Sequence, residues 1–160
     1  MPARLRLAWI EGKKKRVHFI SGHRRDVRLT PEQETCLNEI RERIQNGHRL
    51  RPFCYRVNRD SPDDLLDREG IMHLHLSAKD RNEILFLVQY AEHVVFLDVT
   101  NHAPLKDEPP GWYLAQLHAN ALSDLESKID AEKIAEDAAT TAKVVKGINP
   151  RQKSLIRNRD

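Results

Sequence analysis

The chain has 160 residues, 39% hydrophobic and 32% charged, with a formal net charge of +3 at pH 7. That length suits one domain with appendages and is enough to bury a proper core. No window offers the roughly 20 apolar residues of a spanning helix, and the apolar run near the N-terminus is too short for a secretory leader; a cytoplasmic protein with no membrane partner is expected.

Residues 4–10, RLRLAWI, alternate basic and apolar as a half-buried strand does. Gly12 and the lysine run make a turn, and RVHFI (16–20) can pair back, which predicts an N-terminal β-hairpin over 4–20. Arg4 and Arg6 then share its solvent face, with Leu5 and Leu7 inward. A helix follows. Thr30 is its N-cap, Pro31 takes the first helical position and Gln33 completes a capping box. Leu37, Ile40 and Ile44 give it one apolar face, and Asn46-Gly47 stops it. Residues 48–60 form a basic connection. Ser61-Pro62-Asp63-Asp64 then opens a second, short helix that buries Leu65 and Leu66 and ends at Gly70.

The stretch 71–102, IMHLHLSAKDRNEILFLVQYAEHVVFLDVTNH, holds three apolar runs separated by polar turns. Such short connections predict an antiparallel meander. In 71–76, Ile71, His73 and His75 share one face, and Met72, Leu74 and Leu76 the other. ILFLVQY (84–90) is apolar on both faces, as a covered central strand should be. After a proline-broken segment, WYLAQLHANALSDLESKI reads as an amphipathic helix. The alanine-rich DAEKIAEDAATTAKVV is compatible with extending it, and GINPRQKSLIRNRD reads as a mobile basic tail.

Basic residues gather in the first thirty positions and again from Lys143 to Arg159, with an acidic block from Asp124 to Asp137 between them. Clustered cations favour an anionic partner, nucleic acid first; a solvated face reads the same way. Cys36 and Cys54 lack C-x-x-C spacing and are expected to be reduced, partly buried thiols.

Of the 8 histidines, His18, His23, His48, His93 and His118 are scattered and read as ordinary surface or core residues. His73, His75 and His102 differ, because strand direction brings the end of the third strand beside the end of the first. Lys79, Asp80 and Arg81 lie in the turn at that same end, and His93 lies at the other. Two imidazoles, a carboxylate and a cation suit metal-free RNA cleavage. One group takes the 2′-OH proton, one protonates the leaving oxygen, and the cation stabilises the phosphorane. His-x-His with Glu83 and His102 also has the ligand types for zinc or iron, which makes a metal-dependent enzyme an alternative. A non-catalytic nucleic-acid or protein binder that uses the basic termini is the other.

Two helices followed by a three-stranded meander ending in a histidine resembles the RelE/ParE superfamily of toxins, over about residues 30–105. The ILFLVQYAEHVVFLDVTNH run looks like that family's final hairpin, and His102 matches its terminal histidine. His73 or His75 stands for the earlier strand histidine of some members, and Asp80 and Arg81 fall where acidic and basic site residues occur. Ala103-Pro104-Leu105 follow His102 where the family often has an aromatic residue, and the chain runs on well beyond the sheet. The resemblance implies a bacterial mRNA-cleaving toxin acting on the ribosome, without metal or other cofactor, and a cognate antitoxin covering its basic site. The fold class expected is therefore α+β, a RelE-like antiparallel meander packed by helices with a helical C-terminal extension. Its parts would be a domain over 1–110, the helical extension over 111–146 and the basic tail over 147–160.

Overall fold

The structure is a computed structural model, and it describes residues 3–20, 27–55, 62–79, 81–106 and 108–147. The predicted basic tail from 148 onward therefore lies outside the described residues. The first helix, α1 (Pro31–Asn46), starts on the expected capping box. Gln33 N–H donates to Thr30 Oγ1 at 3.2 Å, and Thr30 N–H donates to Gln33 Oε1 at 2.9 Å. The helix stops at Gly47, whose φ of 74° is left-handed. A Cβ there would also meet Lys14 N at 2.8 Å, so only glycine fits on both counts.

Leu37, Ile40 and Ile44 of α1 lie against one face of a four-stranded sheet. The strands are β1 (Arg16–Phe19), β2 (Ile71–His75), β3 (Ile84–Gln89) and β4 (His93–Thr100), in the spatial order β1-β4-β3-β2. Met72, Leu74 and Leu76 join that core with Leu85, Leu87 and Phe96. Ile40 and Ile44 are 2% and 1% exposed, and their burial contributes about 2 kcal/mol each. A short helix, α2 (Asp64–Glu69), begins where Asp63 Oδ1 accepts Leu66 N–H at 3.1 Å, and it leads into β2.

β2 pairs with β3, and β3 with β4, both antiparallel. The sheet as a whole is mixed, because β1 lies parallel to β4 with Arg16 opposite His93 and Phe19 opposite Phe96. This corrects the expected N-terminal hairpin. Of residues 4–10, only Leu5 makes a strand-like bridge, to Gln89, with its N–H on the Gln89 carbonyl at 2.7 Å. The physical reason is the open edge of β4, which offers RVHF a full ladder, whereas the segment before Gly12 is anchored by side chains. Arg4, expected on a solvent face, is half-buried and donates to the Glu69 carbonyl at 2.7 Å.

The lysine run differs from an open turn as well. Lys15 is 3% exposed, and its ammonium donates to Glu11 Oε2 at 2.6 Å and to the carbonyls of Tyr90 at 2.6 Å and Ala91 at 3.1 Å. Three acceptors compensate the buried charge and fasten the β3–β4 turn.

The chain divides into two compact units, Met1–Leu122 and Ser123–Asp160. The last helix, α3 (Trp112–Gly147), runs through the boundary. Its early residues Leu114 and His118 are fully buried, whereas every residue from 131 to 147 is exposed, in line with the thin apolar face of the alanine-rich segment. Among the described residues, no helix is long and apolar enough to cross a membrane.

Candidate active site

Alternation along β2 turns His73 and His75 away from α1, opposite the side that carries Met72, Leu74 and Leu76. Cross-strand register extends this second face. His73 stands opposite Phe86, which stands opposite Asp98; His75 stands opposite Ile84, which stands opposite Thr100. A register shift between Phe86 and Leu87 then leaves Leu97 as an extra residue in β4.

Just past β4 the chain bends. Asn101 Oδ1 accepts Ala103 N–H at 2.7 Å, and Leu105 N–H donates to the His102 carbonyl at 3.1 Å, opening a 3-10 turn over Ala103–Lys106. This bend brings His102 beside the histidines of β2. Its ring centroid lies 5.7 Å from that of His75 and 6.4 Å from that of His73, and the His73 and His75 rings are 5.7 Å apart.

The three imidazoles differ in access. His73 is 9% exposed and His75 5%, whereas His102 is half-buried. Burial, followed by the positive charge of Arg81, pushes the His75 pKa down to about 4. Its Nδ1 is buried with no hydrogen-bond partner among the described residues. At neutral pH this imidazole is uncharged and retains an open lone pair or N–H. Arg81 itself is half-buried and is held by a hydrogen bond from Nη2 to the Tyr55 carbonyl at 3.2 Å.

His73, His75 and His102 thus come together, with the Arg81 charge near enough to act on His75. Lys79 is exposed in the turn after β2, its N–H donating to Ser77 Oγ at 3.2 Å. Asp80 lies outside the described residues. Glu83, the carboxylate of the metal alternative, belongs to the other face: its Oε2 accepts Gln33 Nε2–H at 2.9 Å, which ties it to α1. Among the described residues, no group of three or more His, Cys, Asp or Glu is placed to hold a metal ion.

Sequence reasoning passed over Asp98. It is 7% exposed, with Oδ1 accepting Val99 N–H at 2.9 Å, and it shares the histidine face through Phe86. The available signal was a single acid inside the apolar run HVVFLDVT, where burial demands a partner. His18 and His93 also turn out to be joined, Nε2 to Nδ1 at 3.1 Å, both buried at the far end of this face. No protein-family model, curated protein or solved structure matches the chain.

Proposed function

We propose that this chain is a RelE-like endoribonuclease toxin that cleaves ribosome-bound mRNA without a metal. The observation that carries this reading is the gathering of three imidazoles, with ring centroids no more than 6.4 Å apart, beside the Arg81 guanidinium. His102, the most accessible of the three, exchanges a proton with the substrate. His75, kept neutral, is suited to be its proton-accepting counterpart, and His73 packs between His75 and Phe86 to position it. Arg81 stabilises the charged phosphorane, and Lys79 meets the phosphate backbone.

The order of elements supports the same reading: one leading strand, two helices, then three consecutive strands running to a histidine. An antitoxin covering the basic end of the sheet would be the cognate partner.

Induced expression in a bacterial host, with cleavage sites mapped by primer extension, tests the proposal. Wild type should arrest growth and cut mRNA, and the purified protein should cut RNA in the presence of a chelator. His102→Ala should lower cleavage on the order of 10²–10⁴-fold. A wild type that neither arrests growth nor cuts RNA removes the toxin reading.

The low exposure of His73 and His75 favours a second reading, a non-catalytic RNA- or protein-binding module in which the histidines are packed core. Salt-dependent RNA binding that survives loss of all three histidines would decide for it.

A further inference from the structure

Cys36 on α1 and Cys54 at the end of a 3-10 turn (Pro52–Cys54) look unrelated in sequence, yet the fold brings both to line one small pocket. Two links hold their segments together. The Glu39 carboxylate accepts Nε–H from both Arg43 and Arg51 at 2.8 Å, and Arg43 Nη1 donates to the Arg49 carbonyl at 2.9 Å. Both cysteines line one small pocket beside Glu39, Arg43, Arg51 and Phe53.

The two thiols are not equivalent. Cys54 is 2% exposed, whereas Cys36 is half-buried. The hydrogen bond from Cys54, helped by the Arg51 charge, holds the Cys36 thiol below its ordinary range against the opposing effects of burial and Glu39. The same hydrogen bond, then burial, pushes the Cys54 thiol up. An accessible, more acidic sulfur beside a buried, proton-bearing one is the division of labour between an attacking and a resolving cysteine.

We propose that Cys36 and Cys54 form an oxidisable dithiol, in which a hydroperoxide oxidises Cys36 and Cys54 then closes an intramolecular disulfide. The Cys36 thiolate attacks the terminal oxygen of the hydroperoxide; the O–O bond breaks, a sulfenic acid forms and an alkoxide or hydroxide leaves to take up a proton. Cys54 sulfur attacks Cys36 sulfur; the S–O bond breaks, the S–S bond forms, and the Cys54 proton leaves with the hydroxyl as water. The two thiols lose two electrons and the peroxide gains them. The cross-link joins α1 to the turn that precedes Tyr55, whose carbonyl holds Arg81. The proposal stands on the shared pocket and the unequal exposure of the two thiols, and is independent of RNA cleavage.

Reduced full-length protein is treated with hydrogen peroxide, alkylated and mapped by peptide mass spectrometry. The expected product is a Cys36–Cys54 cross-linked peptide pair within one chain, with both thiols lost together. In Cys54→Ser, dimedone should trap Cys36 as its sulfenic acid. In Cys36→Ser, Cys54 should stay unlabelled and alkylate roughly tenfold or more slowly than Cys36 does in wild type. Circular dichroism checks that the serine variants fold; if either does not, the wild-type arm alone decides. Cys36 advancing to sulfinic acid while Cys54 stays alkylatable, a disulfide between two chains, or survival of both thiols would each overturn the proposal.

Discussion

His118 and His75 are both buried, at 0% and 5% exposure, and both are held at a pKa of about 4, but they are wired differently. His118 Nδ1 lies 3.1 Å from Arg4 Nη2, and its Nε2 lies 2.9 Å from Tyr90 Oη. A guanidinium can only donate, so Nδ1 accepts and the single proton of the neutral ring sits on Nε2, pointing at the tyrosine. Both nitrogens are used, and the ring fastens the start of α3 to the end of β3 and to the N-terminal segment. His75, by contrast, has a buried Nδ1 with no hydrogen-bond partner among the described residues and faces two other imidazoles and Arg81. Burial and a depressed pKa are shared. What separates a structural histidine from a candidate working one is whether its second nitrogen is occupied, since native folds retain few unpartnered buried polar atoms without a functional reason.

The largest expected effect tests what the two histidines share. Each has a folded pKa of about 4 against about 6.5 when unfolded. Between those values the unfolded chain binds more protons, so stability is complete above about pH 6.5 and is lost as the pH falls toward 4. Each residue accounts for about 3 kcal/mol of that loss. Urea unfolding at about pH 7, 5.5 and 4.5 should show the midpoint dropping steadily. A flat midpoint would mean that neither ring is held neutral by the fold.

Next in size is His118→Leu. It removes the His118 contact from the Tyr90 hydroxyl, on a residue only 1% exposed, and from one arm of half-buried Arg4. Losing those two buried contacts should cost about 3 kcal/mol in urea unfolding at neutral pH, and should remove the part of the acid-side loss that His118 contributes. If the proposed chemistry is right, RNA cleavage per folded molecule should be unchanged.

The local rules were legible in the residues. Thr30 and Gln33 sit three apart, Gly47 ends α1, and the His-x-His alternation fixes which face His73 and His75 occupy; each depends only on near neighbours in the chain. Strand direction added His102, because a meander leaves its first and third strands parallel. The parts that escaped depend on distant partners. No pattern within RVHF says that it will choose the open edge of β4 over RLRL, and nothing in the lysine run says that Lys15 will find three acceptors. Cys36 and Cys54 come to line one pocket only in the fold, where Glu39 also holds Arg51 against α1. Glu83 is instructive, since the same alternation that paired the histidines already assigned it to the face of Leu85 and hence to α1. Asp98 was visible as an acid among apolar residues, but its placement on the histidine face depends on the register across β3.

His75→Leu should have the smallest effect on stability, and it is the sharpest test of the contrast. Leucine is close to imidazole in size and removes the polar atom that lacks a partner, while it also loses the ring's hydrogen bond to the Arg81 backbone, so the two effects offset and the substitution should change stability by less than about 1 kcal/mol. It should also remove the part of the acid-side loss that His75 contributes, leaving that of His118. If the proposed chemistry is right, RNA cleavage falls steeply while stability hardly changes, the reverse of the outcome for His118→Leu. A loss of stability as large as that for His118 would mean that the ring at 75 is held by interactions of the same structural kind. The pair of variants therefore separates the two roles by which quantity falls, which a single alanine substitution at either position would not do.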